Sequence, residues 1–290
     1  MIGRAAARAR RGALIVSLLA ICSLAGCAPS LALLNLPAGP GEPDYTGATA
    51  EASQQAAKHC SSVSSIVALA SLNGTLGSQR ARGNMNLGVA GSSARLELLA
   101  PFGQAFFYFV SHDNAATLLL PRENRVIREA DPQALLEALT GIPLGQNHLL
   151  PTLVGCPSPF SETNALLDTI NFMRFGDDWR MVSSGDGELE SYLHRESVND
   201  PWRLVAMVRR RPDGTSWRTE YREFDSDLPR RILMYSPDRF RLELRLSDVE
   251  LNRPLGPEAF IIKVPATAVP MTLEELRRSG PLAGSSANDQ

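Results

Sequence analysis

The sequence predicts a mainly β fold of the α+β kind: an antiparallel sheet large enough to curl, with two helical segments between an early and a late group of strands. Three observations predict it. First, apolar and polar residues alternate along Arg95-Leu96-Glu97-Leu98 and again over 216–224 and 239–246, and a period of two marks a strand with one buried face and one wet face. Second, turn signals separate many such runs, a spacing that builds antiparallel sheets that curve. Third, residues 131–155 carry helix punctuation instead of alternation. Helices laid over the concave face of such a sheet would enclose an apolar space.

Taken in order, residues 28–43 contain Pro29, Pro37, Pro40 and Pro43 with several glycines and no period, the composition of a tether. Residues 44–59, rich in Ala, Gln and Glu, read as a helix. Residues 66–82 are strand-like, with Gly74 and Gly77 as bends or bulges. Gly91-Ser92-Ser93 is a hairpin signal leading into the Arg95–Leu98 alternation. Ala100-Pro101-Phe102-Gly103 breaks that run, and 104–110 resumes as a strand with Phe106, Phe107, Tyr108 and Phe109 together. A short strand follows at 117–120. Asp131 can cap the next helix, Pro132 suits its first turn, and Gly141 followed by Pro143 ends it. Leu135, Leu136 and Leu139 share one face of it. Leu149, Leu150 and Leu153 repeat the pattern in a shorter piece ending at Gly155, and these leucines read equally well as the seal of a core.

Residues 157–178 carry weak signals, with a short helix expected at 164–170. Strands are expected at 181–182, 189–194 and 203–210, with a turn at Pro212-Asp213-Gly214. Along 216–224, Trp217, Thr219 and Tyr221 face one way and Arg218, Glu220 and Arg222 the other. Further strands are expected at 230–235, 239–246 and, last, 260–264. Thr272 with Glu275 makes a small capping box, and residues from 279 are polar and expected to be loose.

The amino terminus reads as an export signal. Arg4, Arg8, Arg10 and Arg11 precede an apolar run, 13–21, that is too short for a comfortable membrane span. It closes on Leu24-Ala25-Gly26-Cys27, which looks like the bacterial lipobox: small residues admit the chain to a narrow processing site, and the Cys27 thiol takes the diacylglycerol. An ordinary secretory signal ending near a cysteine is the plainer alternative. Asp after the lipidated cysteine favours inner-membrane retention in diderm bacteria. Here that position is Ala28, which points to the periplasmic face of the outer membrane. The expected organisation is a signal peptide over 1–26, a lipidated tether over 27–43, the main domain over 44–270, and a short helix with a tail over 271–290.

Removing 1–26 leaves 25 basic against 31 acidic residues, a formal charge of −6. That argues against nucleic acid as a partner, since phosphate binding needs a basic surface. A membrane stays open as a partner because acyl chains supply the attachment. Of the four cysteines, Cys22 leaves with the signal and Cys27 is consumed by lipidation. Cys60 and Cys156 then face an oxidising space, where a disulfide is the simplest reading; two separate buried thiols acting as small apolar side chains are the alternative.

Catalytic patterns are missing. His59, His112, His148 and His194 have no neighbours at metal-ligand spacing, and the sequence holds no Gly-x-Ser-x-Gly elbow, phosphate-cradling glycine loop or Cys-x-x-Cys. Asp177-Asp178 and Asp186 read as solvated loop carboxylates. No catalytic residue, metal or cofactor is expected.

The stretch 83–157 resembles the LolB family of outer-membrane lipoprotein receptors and, more loosely, its LolA relatives. The residues that carry the resemblance are Arg95-Leu96-Glu97-Leu98, the Ala100-Pro101-Phe102-Gly103 loop and the strand after it. They continue through Ala138-Leu139-Thr140-Gly141-Ile142-Pro143-Leu144 and Leu153-Val154-Gly155-Cys156-Pro157. Each motif is short, and their order and spacing carry the weight. The resemblance implies an unclosed antiparallel β-barrel with a helical lid over an apolar cavity that binds the acyl chains of lipoproteins, delivered by a periplasmic carrier protein. It departs from the family in the segment 157–200, in the longer carboxyl terminus and in Cys60 and Cys156, so another envelope lipid is an open cargo. Strand alternation puts Leu96 and Leu98 on one face, and the resemblance adds Phe107 and Phe109. With Leu135, Leu136 and Leu139 these are expected to line the cavity. Phe102, fixed between Pro101 and Gly103, corresponds to a leucine that meets the membrane in the family; folding back as a plug of the core is the alternative. A structural lipoprotein using the barrel to dock a protein is the competing function.

Overall fold

The computed structural model describes residues 32–77, 79–99, 105–156, 170–237 and 239–279. The signal region, Cys27, the Pro101-Phe102-Gly103 loop, most of the helix expected at 164–170 and the tail lie outside the described residues. The chain divides into two units, Met1–Asn35 and Leu36–Gln290, and the architecture that follows belongs to the second.

The early strands are β1 (Glu42–Pro43), β2 (Ser65–Leu76), β3 (Gln79–Ala90), β4 (Ser93–Leu99), β5 (Ala105–His112), β6 (Ala115–Leu120) and β7 (Arg125–Ala130). The later ones are β8 (Ile170–Phe175), β9 (Trp179–Ser184), β10 (Leu189–His194), β11 (Arg203–Arg210), β12 (Ser216–Asp225), β13 (Leu228–Ser236), β14 (Phe240–Leu251) and β15 (Val269–Pro270). The helices are α1 (Ala48–Ala56), α2 (Pro132–Thr140), α3 (Gln146–Val154) and α4 (Leu273–Ser279). Among the described residues all fifteen strands form one sheet in the order β1-β8-β9-β10-β11-β12-β13-β14-β2-β3-β4-β5-β6-β7-β15. Two antiparallel meanders, β2–β7 and β8–β14, are joined where β14 pairs with β2. Because β1 and β15 end the order without meeting, the sheet is an unclosed barrel. Every pairing among the described residues is antiparallel except β15 with β7.

Alternation decides which face each strand buries. In β14, Phe240, Leu242, Leu244 and Leu246 are buried, while Arg241, Glu243 and Arg245 face outward. On the outer face of β12, Glu220 is fully buried between Arg218 and Arg222, at 2.6 and 2.5 Å. The tightest approach in the sheet falls where the two meanders join: a Cβ on Gly74 would lie 2.0 Å from the Arg241 carbonyl oxygen. Only glycine lets β2 and β14 come that close.

The helices form a roof. α2 begins where Asp131 accepts a hydrogen bond from the Ala134 amide at 2.7 Å and ends at Gly141, φ 71°. α3 ends at Gly155, φ 69°. α3 packs on β2, β3, β4 and β13, α2 on β6, α1 on β8 to β11, and α4 on α2. None of the helices among the described residues is long and apolar enough to cross a membrane.

Five expectations need correction. The tether does not run unpaired to residue 43, because Glu42 and Pro43 pair with Arg174 and Met173 of β8 and the Glu42 carboxylate meets Arg174 at 2.6 Å. The stretch 66–82 is two strands folded at Gly77, φ 57°. Residues 125–130 form a strand where none was expected: consecutive Val126 and Ile127 are both buried and Glu129 sits at φ 54°, an irregularity that erases the alternation. Ile170 opens a strand instead of ending a helix. The last strand is not 260–264. The 3₁₀ turn Pro257–Phe260 that leads into that stretch lies over β4 and β5, whose backbones are already paired on both sides, so an apolar, β-branched sequence finds no free edge there. It is held through side chains: Arg95 donates to the Ala259 and Ile261 carbonyls at 3.1 and 3.0 Å, and Phe260 stacks on His112 at 6.0 Å. The chain reaches a free edge only at β15. After it, α4 buries Leu276 and is docked by Arg125–Glu275 at 3.2 Å.

The start of α1 carries a pH signature. Asp44 accepts from the Thr46 amide and hydroxyl and from the Thr49 amide, at 2.9, 2.5 and 2.6 Å. The hydrogen bonds from Thr46, then Thr49, hold its carboxyl well below the usual carboxylate range. A depressed folded-state value means stability that is present above the unfolded value, near 3.9, and lost as pH falls below it. Asp44→Ala, which removes the acceptor of these bonds, is therefore expected to cost about 1 kcal/mol at neutral pH and to flatten the acid limb of a urea-midpoint profile below about pH 4. An acid limb identical to that of the parent chain would show that the Asp44 hydrogen bonds contribute nothing.

Candidate functional site

Beneath the roof lies a cavity of about 100 Å³. Its floor is sheet: Leu72 of β2, Met85 and Leu87 of β3, Leu96 of β4, Phe107 of β5, Met234 of β13, and Leu242 and Leu244 of β14. Its ceiling is Leu136, Leu139 and Thr140 of α2, Ile142 and Leu144 of the connection, and Leu149, Thr152 and Leu153 of α3. The floor is continuous because β14 pairs with β2, which brings residues near 240 beside residues near 72.

Among the described residues, no lining side chain is ionisable. The Thr140 hydroxyl is occupied locally, donating to the Leu136 carbonyl at 2.7 Å and accepting from the Ile142 amide at 3.1 Å. A space with such walls offers water too few partners and stays dry. The described walls offer the environment of an apolar solvent.

Of the seven residues expected to line it, the structure places Leu96, Phe107, Leu136 and Leu139 in the walls. Leu98, Phe109 and Leu135 are instead packed solid, with exposures of 1%, 0% and 0%. Leu98 fills the space over Gly83, where an added Cβ would come within 3.0 Å of it. The β2, β3, β13 and β14 contributions were not singled out from the sequence. The alternation of Leu242 and Leu244 was the signal that could have found two of them.

The roof is tied down at its rim. Glu137 of α2 pairs with Arg211, in the turn between β11 and β12, at 3.1 and 3.4 Å. Gln146 at the start of α3 donates to Asn114 at 2.6 Å. At the other end of α3, Cys156 is bonded to Cys60, with the Cα atoms 5.8 Å apart. The His59 Nε2 sits 3.0 Å from the Val154 carbonyl and 3.8 Å from each sulfur. These three residues bring a ring nitrogen and two sulfurs within 4.8 Å of one another. Sulfurs bonded to each other have no thiolate to offer a metal.

No protein-family model matches the chain, and no curated protein matches it. Solved structures do. A LolA superfamily protein of Nitrosomonas europaea is 13% identical, with a TM-score of 0.47 over 74% of this chain and 97% of that one. A putative outer membrane lipoprotein-sorting protein domain of Vibrio parahaemolyticus is 12% identical, with a TM-score of 0.45 over 73% of this chain and 97% of that one.

Proposed function

We propose that this chain is an envelope lipoprotein that takes acyl chains into the cavity beneath α2 and α3 and acts in their transfer to the outer membrane. The observation that carries the reading is a cavity whose described walls are apolar side chains and two threonines, without a charge among the described residues, under a roof of short helices. The motif order over 83–157, resembling the LolB family, supports it. At about 100 Å³ the space is below the roughly 300–1,000 Å³ of ligand pockets, so loading goes with lifting of the roof. Each methylene withdrawn from water contributes about 0.8 kcal/mol, and a handful of them offsets the breaking of the polar ties at the rim. On this reading Cys27 carries the anchoring lipid, Phe102 dips into the bilayer during delivery, and a periplasmic carrier protein is the donor. The protein binds and hands over its cargo without catalysis. The small volume also favours a second reading, in which the barrel is a scaffold that docks a protein.

One preparation tests both the anchor and the cargo. Cys27→Ala, expressed with its own signal, is expected to move from the membrane to the soluble envelope fraction. Mass spectrometry of that purified protein is expected to find bound acyl lipid. Membrane retention of the variant would overturn the anchor, and a lipid-free protein that also refuses fatty acid in titration would overturn the cargo.

A further inference from the structure

We propose that the Cys60–Cys156 bridge is a redox-operated latch on the roof, opened by a dithiol, with His59 the group that receives the departing thiolate. The inference rests on the acyl-chain reading and deepens it by naming what governs access to the cavity.

The bridge sits where a latch has leverage. Cys60 follows α1 and Cys156 follows α3, so the bond joins the helix over one half of the sheet to the helix that forms the cavity ceiling. The other ties of the roof, Glu137–Arg211 and Gln146–Asn114, are partly exposed polar contacts that exchange with water. The bridge is the covalent tie among the described residues. While it is closed, the end of α3 is held to α1, so the space below opens to an acyl chain more slowly.

The two sulfurs are not equivalent. Cys60 lies in a surface 3₁₀ turn and is half-buried, whereas Cys156 is 5% exposed. An incoming thiolate therefore reaches Cys60. It forms a new S–S bond there, and the Cys60–Cys156 bond breaks with its electron pair leaving on Cys156. The His59 Nε2 is 3.8 Å from that sulfur, and its N–H, already directed at the Val154 carbonyl, is the donor at hand for the new anion. The second thiol of the reductant then attacks its own mixed-disulfide sulfur and expels Cys60. Two electrons and two protons have passed to the protein, and the reductant is left as a disulfide. The chemical class of partner is a vicinal dithiol, such as the Cys-x-x-Cys pair of an envelope oxidoreductase.

The test uses the oxidised mature chain, dithiothreitol as the dithiol and a fluorescent fatty acid as the cargo probe. Thiol labelling without denaturant is expected to show Cys60 and Cys156 released together, and fatty-acid uptake is expected to quicken roughly tenfold on reduction. Cys60→Ser with Cys156→Ser should take up the probe at the fast rate with or without dithiothreitol. If that variant does not fold, reduced wild type gives the same comparison. His59→Phe keeps a ring in place but removes the donor, and is expected to slow reduction roughly tenfold. Reduction that requires denaturant, or equal uptake by oxidised and reduced protein, overturns the latch. Wild-type reduction kinetics in His59→Phe overturn the assignment of His59. No uptake by either form overturns the acyl-chain reading itself, and the latch with it.

Discussion

Replacing Cys60 and Cys156 together by alanine is expected to lower the unfolding free energy by about 4–5 kcal/mol. The bond closes a loop of sequence separation 96. Cross-linking a loop of that length removes much of the conformational freedom of the unfolded chain and adds little to native packing. The measurement is a urea titration of oxidised wild type, reduced wild type and the double alanine variant. If the effect lies in the unfolded state, the last two coincide and the variant shows a larger dependence of free energy on urea, because its unfolded chain exposes more surface. A loss below about 1 kcal/mol would mean that the cysteines act only as small apolar side chains. The folded form should survive the loss, since most of its core lies in strands whose backbone pairing does not involve either cysteine.

Much of the fold is legible in period and punctuation. β14 alternates cleanly over 240–246 because it presents one face to the core and one to water, and β12 does so except at Glu220, which Arg218 and Arg222 cover on the outer face. α2 is bounded by Asp131 and Gly141 because those residues satisfy its ends locally, with no need of tertiary structure. Legibility fails where long-range pairing overrides local preference. Phe260 to Val264 has the composition of a strand, yet the strands beneath it have no free edge, and that fact belongs to the topology. Val126 and Ile127 make a strand without alternation because a backbone irregularity buries both.

The cavity shows the same division more sharply. Leu135, Leu136 and Leu139 share one helical face, and all three are buried. Period alone cannot say that Leu136 and Leu139 open onto a space while Leu135 does not. That depends on where β14 and β2 set the floor beneath α2. Leu98 and Leu96 divide in the same way along β4: same face, two residues apart, one in solid packing and one in the wall.

That division yields the second large effect. Leu139→Trp puts extra side-chain volume into empty space, so it is expected to reduce fatty-acid affinity at least tenfold while changing stability by under about 1.5 kcal/mol. Leu135→Trp adds the same atoms one helical turn earlier, where exposure is 0% and no space exists. Overpacking there is expected to cost about 1–3 kcal/mol, with affinity unchanged in the molecules that remain folded. The comparison holds residue type, helix and burial constant, leaving the cavity as the difference. Fluorescent fatty-acid titration and urea unfolding on the same two proteins read it out. If affinity and stability fall together in both variants, the space under α2 is a packing defect of a solid core, and the barrel is a scaffold whose function lies on its outer face. If Leu139→Trp alone loses binding, the acyl chain occupies the space bounded by Leu96, Phe107 and Leu136, and the roof that α2 and α3 make is the part of the molecule that must move to admit it.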